Sequence, residues 1–197
     1  MARSGSRLPA PSIRRWSSRS NVVSGFSRTF GALHDPMSSR LQRFKDAQDQ
    51  AVSGFQSALS EIHAGGKRSH WIWYVFPQLS GMGYSAASRT YGLDGVAEAE
   101  EYLRDPVLRS RLLTIATAVA EQARRGTTLL RLMGSSIDVT KLVSSMTLFE
   151  HVGQRLYDAD GLVEYASLAS ASKTILERAA AEGYPPCQFT LDAVANQ

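Results

Sequence analysis

Lys67-Arg68-Ser69-His70-Trp71-Ile72-Trp73-Tyr74-Val75-Phe76-Pro77-Gln78 is the stretch on which the fold turns. Two of the three tryptophans stand here, beside two cations and one of four histidines. Residues 71–76 are an apolar run stopped by Pro77. A run that short is open to two readings, a buried strand or a turn of buried helix. A fully buried side chain of Phe size contributes about 1.5–3 kcal/mol, and each indole brings an N–H that needs an acceptor. A cationic lip leading into an aromatic wall is one way to build a ligand pocket. The competing reading is a core segment with a charged entrance.

Working outward toward the N-terminus, Leu41, Phe44, Ala47, Val52, Phe55, Leu59 and Ile62 draw one apolar face, which predicts one amphipathic helix over 40–63. Gly65-Gly66 stops it. On the other side, Gly81-Met82-Gly83-Tyr84-Ser85 is a flexible turn suited to close approach of a ligand. It lacks the Gly-x-x-x-x-Gly-Lys-Ser/Thr spacing of a phosphate loop. Asp94 is placed to cap a helix ending near Arg104, and Asp105-Pro106 starts the next, with the acid at the cap and proline in the first turn. Leu108, Leu112, Ile115, Ala116 and Val119 form its buried stripe, and Arg124-Arg125-Gly126 closes it. A short helix is expected over Thr127 to Met133. Asp138 is read as the cap of a helix from Val139 to about Val152, ended by Gly153. An Ala- and Ser-rich helix over 161–182 follows, then Tyr184-Pro185-Pro186 and a short end piece with Thr190-Leu191. The chain carries no internal repeat.

The 197 residues suit one domain with an appendage, and 43% hydrophobic with 20% charged residues fits a soluble, globular class. The single cysteine, Cys187, excludes an intramolecular disulfide framework and fits the reducing cytoplasm. No apolar run approaches the roughly 20 residues of a membrane span. The net charge of +4 is unevenly spread. Residues 1–36 hold six arginines and one acid, which leaves 16 cations against 17 acids in residues 37–197. A near-neutral body argues against a broad nucleic-acid face on the folded part. Residues 1–36 are expected to be disordered. Their composition fits a transit peptide, a basic arm, or translation assigned upstream of a true start at Met37. The last is favoured, because Ser39-x-x-Gln42 reads as a capping box just after Met37.

Several of these segments resemble one family. They are Leu41-x-Arg43-Phe44-x-x-Ala47-Gln48, Ala58-Leu59-x-Glu61-Ile62 through Lys67, and Ser69-His70-Trp71-x-Trp73-Tyr74-x-Phe76-Pro77-Gln78-Leu79-x-Gly81-x-Gly83-x-Ser85. Further on come Glu98-Ala99, Tyr102-Leu103, Pro106-Val107-Leu108, Gly134-Ser135, Asp138, Lys141-Leu142 and Ser144-Ser145-Met146-Thr147-Leu148-Phe149. Over about residues 40–152 the chain resembles the mostly bacterial proteins termed domain of unknown function 1810, sometimes labelled "calpastatin". Nothing here resembles repeated protease-inhibitor segments. The resemblance implies a mainly α, single compact helical domain over 37–197, of about six helices, with 70–78 helical. It implies no established reaction. Where the family closes on Asp-x-x-Thr-Leu, this chain has Cys187 in place of the acid before Gln188-Phe189-Thr190-Leu191.

Metal chemistry finds no footing, since the four histidines form no His-x-x-x-His pair and no second cysteine exists. No cofactor is implied either. No Gly-x-Ser-x-Gly elbow is present for a nucleophilic serine, and Cys187 has no adjacent base. His70 is either a hydrogen-bonded core histidine or an acid/base group. The segment Gly134-Ser135-Ser136-x-Asp138-x-x-Lys141-x-x-Ser144-Ser145 is the stronger candidate, a helix start with hydroxyls and a cation suited to phosphate or ribose. The expected function is a polar-edged aromatic pocket for a phosphate-bearing or nucleoside-type small molecule. Lys67, Arg68, Ser69, Trp71, Trp73, Gln78, Ser85, Ser144 and Ser145 are its binding candidates. If the chain is a hydrolase of ADP-ribose-type glycosidic or phosphate linkages, then Asp138, Lys141 and His70 are the catalytic candidates. The alternative is a non-enzymatic module that binds a partner protein through exposed aromatics.

Overall fold

The helix implied over 70–78 is limited to one turn inside it. Ile72–Val75 makes one turn of helix, and among the described residues the extended pairing is limited to an isolated parallel bridge between Leu79 and Leu93. The computed structural model describes residues 36–196. In them the helices are α1 (Pro36–Gln48), α2 (Phe55–His63), α3 (Ile72–Val75), α4 (Ala86–Tyr91) and α5 (Gly95–Arg104). The second half holds α6 (Pro106–Arg124), α7 (Leu129–Met133), α8 (Ser136–Asp160), α9 (Val163–Ala181) and α10 (Gln188–Ala195). The protein is mainly α, with ten helices among the described residues rather than about six. Apart from Pro36, which opens α1, the reading of residues 1–36 lies outside the described residues. None of the described helices is long and apolar enough to cross a membrane.

The long helix α8 is the centre of the packing. It lies along α9, which also packs on α6, while α3, α5, α7 and α10 rest on α8. Met146, Leu148, Phe149 and Val152 of α8 are fully buried. Gly153 does not end this helix, as the sequence suggested. A Cβ there would stand 3.0 Å from the Tyr165 carbonyl oxygen, so the glycine allows α8 and α9 to approach closely. The helix ends instead at Gly161, in the left-handed conformation at φ 71°.

The single helix expected over 40–63 is two. The chain turns between Gln48 and Phe55, where Ser53 has φ 64°. A Cβ on Gly54 would fall 2.0 Å from the Gln50 carbonyl oxygen, so only glycine fits this reversal. Val52, read as part of the apolar face, is 80% exposed on that turn. The capping box at Ser39 lies inside α1, which begins at Pro36. By contrast, α6 starts as its sequence dictates. The Asp105 side chain accepts hydrogen bonds from the Val107 and Leu108 backbone N–H groups.

The short α3 relies on distant support. Gln48 donates its side-chain N–H to the Tyr74 carbonyl at 2.7 Å and to the Tyr102 hydroxyl at 3.1 Å. That supplies a buried carbonyl at a helix end with the partner it lacks locally. Pro77 then halts the turn. Beyond it, hydrogen bonds from the Leu93 N–H to the Gln78 carbonyl and from the Ser80 N–H to the Leu93 carbonyl tie the 77–93 excursion shut.

Candidate functional site

The two polar-edged segments singled out in the sequence meet. The Lys67 backbone N–H donates to the Leu132 carbonyl at 2.8 Å, which lays the 66–71 connection against α7. Gly134, at φ 78°, reverses the chain after α7. The α8 cap is Ser135, not Asp138: the Ser135 Oγ accepts from the Asp138 backbone N–H at 3.1 Å. The helix therefore starts three residues earlier than its sequence suggested. That shift leaves the Asp138 carboxylate available for other partners.

Both partners are lysines. Asp138 Oδ2 lies 2.7 Å from Lys67 Nζ, and Oδ1 lies 2.8 Å from Lys141 Nζ. Burial works to raise the Asp138 carboxyl pKa. Hydrogen bonds and charge from Lys141 and Lys67 outweigh that and hold it below the ordinary carboxylate value. Asp138 is therefore ionised at neutral pH and a poor proton acceptor. Each ammonium also faces an indole, Lys67 at 5.5 Å from the Trp71 ring centroid and Lys141 at 4.2 Å from that of Trp73.

The connection that delivers Lys67 is held by one carboxylate. Glu61 Oε2 accepts from the Arg68 N–H at 2.7 Å, the Ser69 N–H at 3.1 Å and the Trp71 Nε1–H at 2.7 Å. Its Oε1 accepts from the Ser69 hydroxyl at 2.7 Å. Burial alone would raise the Glu61 pKa, but these donors overcome it and the net shift is downward.

Lys141 opens onto a cavity of about 460 Å³, within the size range of small-molecule sites. Trp73, Tyr84 and Tyr91 form its aromatic wall, with Leu79, Met82 and Ile137 as aliphatic neighbours. Polar groups come from Gln78, Ser85, Ser88 and Thr140. Two of the aromatic and aliphatic residues are strongly solvent-exposed at this wall, Tyr84 at 93% and Ile137 at 68%.

The candidate residues fall into distinct places. Trp73, Gln78, Ser85 and Lys141 line the cavity, while Lys67 and Asp138 stand behind Lys141. Trp71 is fully buried with its N–H given to Glu61, so it offers no free face for stacking. Ser69 is turned to Glu61, and Arg68 and His70 are exposed and absent from the lining. Ser144 and Ser145 are fully buried in α8 and do not line the cavity. Ser144 donates to the Met82 sulfur at 3.0 Å and pairs with the Thr190 hydroxyl at 3.2 Å. The Ser145 hydroxyl has no partner among the described residues.

Sequence reasoning passed over Ser88, Tyr91, Ile137 and Thr140, and read Met82 only as part of a flexible turn. Ile137 and Thr140 flank Asp138 and face the same way as Lys141 at helical spacing, a signal that was present. Tyr91 comes from α4, which the sequence did not announce. Glu61 stood inside a quoted family segment but carried no assigned role.

A family model described as "Protein of unknown function (DUF1810)" matches residues 38–176. No curated protein matches the chain. Among solved structures, the chain is similar to the conserved hypothetical protein Rv1873 from Mycobacterium tuberculosis, whose crystal structure is at 1.38 Å. The two are 31% identical, with a TM-score of 0.61, over 82% of this chain and 99% of that one. With more than two thirds of its length matched, the chain belongs to the DUF1810 family of proteins of unknown function.

Proposed function

We propose that the chain binds a small molecule combining a flat ring with an anionic group, of the phosphate-bearing or nucleoside type. One observation carries this reading. The Lys141 ammonium sits 4.2 Å from the Trp73 ring centroid on the wall of a 460 Å³ cavity, and the carboxylate it contacts has a second lysine of its own. Lys141 can turn to a ligand anion without leaving Asp138 unpaired, because Lys67 stays at 2.7 Å. Leaving a buried charge without a partner would be costly, so the paired lysines make one of them usable. Trp73 supplies a face for a ring beside that charge.

The geometry supports binding more than hydrolysis. Asp138 is held ionised by two ammonium groups and is a weak base, and His70 is absent from the cavity lining. The partner-protein alternative draws on one observation, the exposure of Tyr84 and Ile137 at the cavity wall, while Trp71 lies wholly inside.

The test is thermal stabilisation of the full chain by nucleosides, nucleotides, ADP-ribose and sugar phosphates. A ligand at a hundredfold its Kd stabilises by about 2.7 kcal/mol, or about 5–10 °C for a chain of this size. Lys141→Ala and Trp73→Ala should each abolish the shift. The reading fails if no compound in the panel stabilises the protein, or if both variants respond like the parent.

A further inference from the structure

We propose that the occupant of this cavity is a flat heteroaromatic ring bearing one negative charge, and that phosphomonoesters and polyphosphates are selected against. The inference rests on the binding reading above and narrows its ligand class.

The charge count is local. Among the described residues, Lys141 is the one cation in the lining, and no Asp or Glu lines the cavity. Behind it, Asp138 is shared with Lys67, so the three groups together carry a charge of +1. A single ligand charge at Lys141 neutralises the set. A second ligand charge finds no second cation among the described lining residues, so the cost of taking it out of water is not offset there. Arg89 does not line the cavity, and its guanidinium is bonded to the Tyr84 carbonyl.

The hydroxyls add little for phosphate oxygens. Ser88 donates to the Ser85 carbonyl at 2.8 Å, Ser85 donates to the Ser88 Oγ at 3.0 Å, and Thr140 donates to the Ser136 carbonyl at 3.0 Å. Each would have to give up one of these bonds to donate to a phosphate oxygen. Gln78 is different. Its carboxamide makes no hydrogen bond among the described residues, and it presents a donor and an acceptor in one plane. That pair matches the edge of a heteroaromatic ring with an acceptor nitrogen beside an amino group, as glutamine reads adenine.

The experiment holds the ring constant and varies the charge. Kd values for adenosine, 3′,5′-cyclic AMP, AMP and ATP are measured on the full chain by calorimetry at low salt, with the matching guanine, cytosine and uracil series. Pyridine-3-carboxylate against its carboxamide separates a carboxylate from a phosphodiester as the source of the single charge. The singly charged member should bind tightest in its series. Each further charge should weaken binding roughly two- to fivefold, the size of a partly solvated charge–charge effect. Asp138→Asn raises the local charge to +2 and should move the optimum toward AMP. Lys141→Gln should erase the advantage of the charged member over the neutral one, and it serves alone if the Asp138 variant does not fold. Affinity that climbs from cyclic AMP through AMP to ATP overturns the inference and leaves the binding reading standing. Binding by none of these probes removes the reading itself.

Discussion

Truncating Glu61 isolates the value of the clasp that holds residues 67–71. Its carboxylate takes four hydrogen bonds, three on Oε2 and one on Oε1. In Glu61→Ala, water reaches the Arg68 and Ser69 groups, which lie toward the surface. It does not reach the Trp71 indole, which is fully buried. An orphaned buried donor costs about 1–3 kcal/mol, and the lost charge-assisted bonds add about 1–2 kcal/mol more. The expected total is about 3 kcal/mol, or a Tm lower by about 6–12 °C for a chain of this length. Glu61→Gln keeps one acceptor oxygen for the shared Oε2 position and should cost only about 1 kcal/mol. A double-mutant cycle with Trp71→Phe, followed by urea denaturation, separates the indole bond from the rest. Its coupling energy should be about 1–3 kcal/mol. A coupling below about 0.5 kcal/mol would refute the claim that Glu61 is what satisfies Trp71.

Two further predictions concern α8. Asp138 has a folded-state pKa below its ordinary value, so its contribution is complete above about pH 4 and is lost as pH falls through the lowered folded value. Asp138→Asn should therefore cost about 2–3 kcal/mol at pH 7 and clearly less at pH 3, read from urea midpoints; an equal cost at both would contradict the ion-pair assignment. The Ser144 and Thr190 hydroxyls are buried partners. Ser144→Ala should cost about 1–3 kcal/mol by orphaning the Thr190 hydroxyl, and Thr190→Val less, because Ser144 keeps the Met82 sulfur, whereas the double variant should cost less than the sum; strict additivity in chemical denaturation would show that the pair does not interact.

What the sequence made legible were features set by neighbours along the chain. The α6 start at Asp105-Pro106 and the stop of α2 before Gly65 follow from local geometry, and both were readable. What escaped was set by contacts across the fold. Gly153 reads as punctuation, but its purpose is the nearness of Tyr165. Asp138 reads as a cap because an acid before an apolar run usually is one, yet Ser135 takes that role. Nothing in the spacing dictated that Lys67 would meet Asp138. Trp71 and Trp73 look equivalent in sequence. One is sealed in the core and the other faces the cavity, because α3 makes a single turn and two positions along a helix are about 200° apart.

The family match ends at residue 176, and α10 lies beyond it. Yet Thr190 on that helix reaches Ser144, and Ser144 gives its proton to Met82 on the cavity wall. Phe189 comes just as close to the loop, 3.6 Å from where a side chain on Gly81 would begin. The terminal helix, outside the stretch that the family model matches, thus braces the cavity rim through Thr190 and Phe189. Loss of that brace reaches Met82 on the cavity wall without touching the lysine pair or its aspartate.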